Sequence, residues 1–197
     1  MRIIGLCGRS GSGKGVFSAV AEKNGFMVID CDAVYKDMVS KPSDCLKEIE
    51  TEFGSEVIKD SKLDRRALAP IVFSNPEKLK KLNSITHKYV LDEVRNIISS
   101  SPEDSVILID APTMFESGCD ELCDMVIGVI SSDSDCVSRI MNRDGISKDQ
   151  AVSRLNNQYT NDFLKENCDA LIYNESTIND FETDSTNLIK DILEGKI

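Results

Sequence analysis

The chain has no tryptophan, five prolines and one histidine, His87, and only 6% of its residues are aromatic. One histidine excludes a multi-histidine metal centre. The seven cysteines contain no C-x-x-C pair, so a zinc site is not expected. Several cysteines fall inside apolar runs, the pattern of reduced cytosolic thiols acting as small core hydrophobes. Cys119 and Cys123 are spaced to share a helix face, but no metal or redox role is assigned to them. No 18-residue apolar run and no charged-then-apolar leader is present, so neither a membrane span nor a secretion signal is expected. Positive charge is also scarce: 23 Lys and Arg stand against 34 Asp and Glu, for a net charge of −11. That balance argues against generic nucleic-acid or anionic-membrane binding. A cytoplasmic monomer without nucleic-acid or membrane partners is the expectation. With 41% hydrophobic residues over 197 positions, the chain can bury one sizeable core and a small inserted subdomain.

What is present is a glycine loop near the start. Ile3-Ile4-Gly5-Leu6-Cys7 reads as a buried strand. Gly8-Arg9-Ser10-Gly11-Ser12-Gly13-Lys14-Gly15 follows it and matches the phosphate-binding pattern G-x-x-x-x-G-K, with a helix expected over Lys14 to Asn24. The glycines let the backbone turn tightly so that N–H groups point at an anion. The helix adds its unpaired first-turn amides and positive dipole end, and Lys14 adds a full charge at the β/γ-phosphates. The position after Lys14, normally a Mg²⁺-ligating Ser or Thr, is Gly15. A water can occupy that coordination site. Ser18, almost a full turn further on, is expected to point elsewhere.

Gly25 reads as a C-cap and Phe26-Met27-Val28-Ile29 as a second strand, ending in Asp30-Cys31-Asp32. In an open parallel sheet, ligands lie beyond the carboxyl ends of the strands. Asp30 is assigned to structure, as a cap of the next helix, and Asp32 to orienting an acceptor hydroxyl and taking its proton. From 44 to 101 the period is helical, with helices expected over Asp44 to Phe53, from Asp64 to Phe73, from Asn75-Pro76, and from Ser84 to Ile98. No strand signal appears there. Val106-Ile107-Leu108-Ile109-Asp110 has the form of a Walker-B strand whose carboxylate holds Mg²⁺ directly or through water. Asp124 to Ile130 is the next strand. Arg139 and Arg143 share a helix face at i and i+4. Ser147 to Gln150 forms a capping box, and Ala170 to Tyr173 the last strand, followed by a helix over Asn179 to Glu194. Arginine-bearing helices of this kind act either as a lid over transferring phosphate or as an ordinary solvated face.

Taken together and in order, these segments resemble the dephospho-coenzyme A kinase family over nearly the whole chain. The resemblance rests on the phosphate loop, on Val28-Ile29-Asp30-Cys31-Asp32 for V-I-D-A-D, and on Phe53-Gly54 before Leu63-Asp64-Arg65. It also rests on Ile85-Thr86-His87, Asp110-Ala111-Pro112 before Phe115-Glu116-Ser117, Arg139 to Asp144 for R-x-x-x-R-D, Gln158, Asp169 and Ile172-Tyr173-Asn174. It implies an α/β three-layer P-loop fold with a five-stranded parallel sheet, a helical substrate-binding insertion and a lid. The divisions it implies are a core of 1–43, 102–138 and 168–197, a CoA-binding insertion of 44–101 and a lid of 139–167. It implies ATP and Mg²⁺ as cofactors and transfer of the γ-phosphoryl group to the ribose 3′-hydroxyl of dephospho-CoA.

By position, the resemblance makes Lys14, Asp32, Arg139 and Arg143 catalytic. The loop Gly8, Arg9, Ser10, Gly11, Ser12, Gly13, Lys14 and Gly15 would hold ATP together with Arg139, Arg143 and Asn174. Asp32, Lys36, Leu63, Arg65, His87, Pro112, Phe115 and Glu116 would contact the acceptor, and Asp110 the metal. The chain departs from the family's G-G-I-G-S-G-K-S at Arg9, Ser10 and Gly15, and carries Tyr35-Lys36 where the family has A-R. Two alternatives therefore stand beside this reading: a P-loop kinase for another small-molecule acceptor, and a protein that holds nucleotide or CoA without transfer. A GTPase is not expected, because no N-K-x-D is present.

Overall fold

The computed structural model describes residues 1–197. In chain order the elements are β1 (Arg2–Gly8), α1 (Lys14–Lys23), β2 (Met27–Asp30), α2 (Cys31–Met38), α3 (Asp44–Phe53), β3 (Ile58–Lys59), β4 (Lys62–Leu63), α4 (Arg65–Phe73) and α5 (Pro76–Ser100). There follow β5 (Val106–Asp110), α6 (Met114–Ser117), β6 (Met125–Ile130), α7 (Asp133–Asp144), α8 (Lys148–Asn156), α9 (Asn161–Asn167), β7 (Ala170–Tyr173) and α10 (Ile178–Leu193). They group into two compact units, one of residues 1–29, 102–115 and 119–197, the other of residues 30–101 and 116–118. No helix is long and apolar enough to cross a membrane.

The first unit is built on a five-stranded parallel sheet of order β2-β5-β1-β6-β7. β1 lies at its centre, with Ile4 in register with Leu108 of β5 and Met125 of β6. Such strands read as unbroken apolar runs because both faces are covered. On one face, Phe17, Val20 and Ala21 of α1 pack with Phe181, Ile189 and Ile192 of α10 over Ile4, Leu6, Leu108 and Ile127. Phe17 and Phe181 are fully buried, and truncating either to Ala costs about 3–5 kcal/mol. Gly5 marks the other face: a Cβ there would lie 3.0 Å from both Cys123 Sγ and Met114 Cε, so the chain after β5 closes directly on the strand. Beyond the sheet, α7 and α8 pack through Val137, Ile140, Ala151 and Leu155. Ser132 caps α7, Gly145 ends it in the left-handed region at φ 65°, and the expected capping box of Ser147 and Gln150 opens α8.

In the second unit, α2 to α5 enclose a core of Val39, Cys45, Ile49, Phe53, Val57, Leu68, Val72 and Ile85. Tyr35 and Met38 of α2 pack on the same core, so the unit begins at Asp30 and takes in α2 as well as the 44–101 stretch. Two expectations are corrected here. A two-residue-per-strand hairpin, β3 with β4, pairs Ile58 with Leu63 and Lys59 with Lys62, where no strand was expected. Its turn places Asp60 and Ser61 at φ 51° and 59°, a primed turn built without the usual glycine. The region after Asn75 is one 25-residue helix rather than two. At Ser84, where a separate helix is expected to start, the hydroxyl bonds back to the Lys81 carbonyl at 2.8 Å and the helix runs through.

Candidate active site

The phosphate loop joins β1 to α1. The N-cap of α1 is Gly13, at φ 113°, with no side chain to cap the helix; Val16 N donates to Gly13 O at 2.9 Å, and the amides of Lys14 and Gly15 lead the helix's positive end toward an anion. A Cβ on Gly13 would lie 2.3 Å from Asn174 Nδ2, so both backbone angle and packing require glycine there. The loop's carbonyls are held from outside. Arg139 Nη1 donates to Gly11 O at 3.1 Å and to Ser131 Oγ at 2.9 Å, while Nη2 donates to Asn174 O and Oδ1 at 3.2 and 3.3 Å. The buried amide of Asn174 closes the network by donating to Ser12 O at 2.8 Å.

The loop's first residues are tied to the helices beyond. Arg9, almost wholly buried, pairs with Asp133 and donates to Leu155 O at 3.3 Å. Gln158 accepts from Ser10 N at 2.9 Å and donates to Ser10 Oγ at 3.2 Å. The side chains of Arg9 and Ser10 therefore serve the loop's shape.

Lys14 Nζ stands 3.9 Å from Asp110 Oδ1, with both side chains mostly buried. The other carboxylate oxygen of Asp110 accepts from Ser18 Oγ at 2.8 Å. This corrects the expectation that Ser18 points elsewhere. Four residues after Lys14, Ser18 lies on the same face of α1 one turn along, and that face meets the end of β5.

Arg143, placed with Arg139 by sequence spacing, is found elsewhere. It is exposed and bonded to Asp144, which Arg154 also engages. These paired guanidinium groups draw the Asp144 carboxyl down to about 2. Phe115 packs edge-on against Tyr159 and Phe163, with ring centroids 6.3 and 5.4 Å away, and those two rings stack at 3.8 Å. Pro112 lies half-buried in the turn after β5.

In the second unit, Asp30 caps α2 by accepting from Ala33 N at 3.0 Å, as expected, and Asp32 sits exposed in the first turn. Lys36 is exposed on the same helix, and Arg65 lies 5.5 Å over the ring of Tyr35. Leu63 is half-buried, its N–H donating to Val39 O at 3.0 Å. His87 is half-buried and bonded to the backbone of Glu116; burial pushes its pKa down, while burial pushes the Glu116 carboxyl up.

Sequence reasoning did not single out Ser131, Tyr159 or Phe163. Ser131 had a signal: it is the polar residue closing the apolar strand β6, and it is fully buried with its hydroxyl donating to Asn174 O at 2.9 Å. The aromatic pair had none, because its partner Phe115 is more than forty positions away.

Comparison with known proteins matches this architecture. The sequence pattern of the dephospho-CoA kinase family fits residues 2–180. A dephospho-CoA kinase of Fusobacterium nucleatum is 37% identical over 179 residues, covering 90% of this chain and 92% of that protein. One from Carboxydothermus hydrogenoformans is 34% identical, covering 89% and 87%. The solved structure of dephospho-CoA kinase from Campylobacter jejuni superimposes with a TM-score of 0.74 at 27% identity, covering all of both chains. The chain belongs to the dephospho-CoA kinase family.

Proposed function

We propose that this chain transfers the γ-phosphoryl group of ATP to the ribose 3′-hydroxyl of dephospho-CoA, giving coenzyme A, as a cytoplasmic monomer. The observation that carries the chemistry is the pairing of Lys14 with Asp110 at 3.9 Å beside an uncapped helix N-terminus. A cation, a carboxylate and a helix N-terminus without a side-chain cap support a polyphosphate site. Family membership supplies the acceptor. Phosphoryl transfer asks for positioning and charge stabilisation more than covalent help, so few groups suffice.

Lys14 and the first-turn amides of α1 hold the β- and γ-phosphates, with the loop from Gly8 to Gly15 wrapped around them. Arg139 and Asn174 keep that loop in shape and border the nucleotide. Arg143 contributes its charge to the transferring group once it leaves Asp144. Asp32 accepts the proton of the 3′-hydroxyl. Lys36, Leu63, Arg65, His87, Pro112, Phe115 and Glu116 contact dephospho-CoA. Asp110 offers a hard oxygen ligand of the kind Mg²⁺ takes beside phosphate oxygens. Asp110 would hold Mg²⁺, which would supply positive charge against the charge developing on the phosphates.

The test is conversion of dephospho-CoA to coenzyme A with Mg-ATP, followed by mass spectrometry. Product at enzymatic rates is expected, and Asp32→Asn is expected to lower kcat by about 10²–10⁴ with both substrates still bound. An active Asp32→Asn would remove Asp32 as the base. Tight binding of both substrates without product would make the chain a non-transferring binder.

A further inference from the structure

Position 15 is where a P-loop kinase places the hydroxyl that helps hold Mg²⁺. Here it is glycine for no structural reason: a Cβ at Gly15 would meet nothing within 4 Å. Gly15 offers no side-chain oxygen, so a bound Mg²⁺ would depend more heavily on Asp110.

Ser18 is placed to answer that loss. Several serine and threonine hydroxyls within the helices of this chain turn back onto their own helix. Thr51 bonds to Lys47 O, Ser100 to Asn96 O, Thr183 to Asn179 O, Ser185 to Phe181 O and Thr186 to Glu182 O, all at 2.7–2.9 Å. Ser18 instead donates to Asp110 Oδ2 at 2.8 Å. The bond links α1 to the end of β5 and fixes the carboxylate's rotation, with Oδ1 on the Lys14 side. Partners of a metal-binding carboxylate that set its orientation are commonly worth 10–100-fold in metal affinity or activity.

We propose that Ser18 is a positioning residue for the metal site: its hydroxyl holds Asp110 in ligating orientation and offsets the hydroxyl missing at Gly15. The proposal rests on the reading of the loop as an ATP site, not on the identity of the acceptor.

The test is calorimetric titration of ATP into the intact chain, once with saturating Mg²⁺ and once with EDTA, with no acceptor present. The readout is the ratio of the two Kd values. Ser18→Ala is expected to reduce the Mg²⁺-dependent gain in affinity by about tenfold while leaving the EDTA value unchanged. Ser18→Thr is expected to retain the gain. Adding Gly15→Ser to the Ser18→Ala chain is expected to restore most of it, since the space at position 15 is open. An unchanged ratio in Ser18→Ala would overturn the proposal. So would equal weakening with Mg²⁺ and EDTA, which marks a structural role, or a loss that serine at position 15 does not repair. Failure of ATP to bind the unmodified chain would strike the loop reading itself. Failure of the acceptor assay alone would leave the metal result standing.

Discussion

Arg143 turns its guanidinium back onto the next residue, Asp144, with Nε 2.8 Å from Oδ1 and Nη2 3.0 Å from Oδ2. Arg154 from α8 takes the same carboxylate. The residue proposed to meet phosphate is therefore already bonded, and ATP must compete with Asp144 for it. Because the Asp144 pKa falls to about 2, this pairing is intact above the ordinary carboxylate range and is lost only as pH drops through about 2. At working pH, charge on Asp144 always opposes release.

Asp144→Asn is accordingly expected to tighten ATP binding by about two- to fivefold, the scale of an exposed ion pair, measured by calorimetry with Mg²⁺. Arg143→Ala is expected to lower kcat by about 10²–10³, the usual cost of removing one donor to transition-state charge. Asp144→Asn with unchanged ATP affinity would mean that Arg143 stays on the helix and that another cation faces the phosphate.

Gly13 and Gly15, two residues apart, are expected to respond in opposite directions to alanine. Gly13→Ala places a methyl 2.3 Å from Asn174 Nδ2 in a backbone angle that disfavours any side chain, φ 113°. It is expected to cost about 1–3 kcal/mol of unfolding free energy and to abolish ATP binding by pushing Asn174 off Ser12. Gly15→Ala meets no atom within 4 Å and replaces a poor helix former by the best one. It is expected to stabilise the chain by up to about 1 kcal/mol in urea unfolding. If both variants unfold at the same midpoint, the packing of Asn174 against Gly13 does not constrain the loop.

The sheet was legible because its signals are local. The strand at Val106–Asp110 and the capping residues Asp64, Asn75 and Ser147 can each be read within a few positions, and each stands where the pattern placed it. The β3–β4 hairpin was not legible, since two residues per strand give no alternation to detect and its turn carries no glycine. The site was legible in its residue types more than in its wiring. Spacing put Arg139 and Arg143 on one helix face, but only the fold shows one gripping the loop and the other gripping Asp144. The Ser18 contact is not legible in the sequence because its partner, Asp110, is 92 residues away, and helical phase alone does not say which strand a face will meet.

The single histidine, His87, links the chain's stability to pH. Burial holds the His87 pKa below 6.5, against a hydrogen bond to the Glu116 backbone that pulls it up. The unfolded chain therefore takes up a proton at higher pH than the folded one, and stability falls as pH drops below about 6.5 toward the folded value. Glu116 acts in the opposite sense. Its pKa is raised above 4.5 by burial, so its contribution is present below that value and is lost as pH rises through the folded pKa. Where the two windows overlap, acidification weakens the chain through His87 and strengthens it through Glu116. His87→Gln keeps a side-chain N–H for the Glu116 backbone but removes the titration. Urea midpoints at pH 7.5 and 5.5 are expected to fall with acidification by less in His87→Gln than in the unmodified chain. In Glu116→Gln they are expected to fall by more. Since no other histidine is present, an unchanged slope in His87→Gln would mean that the ring is hydrated and titrates as in the unfolded chain.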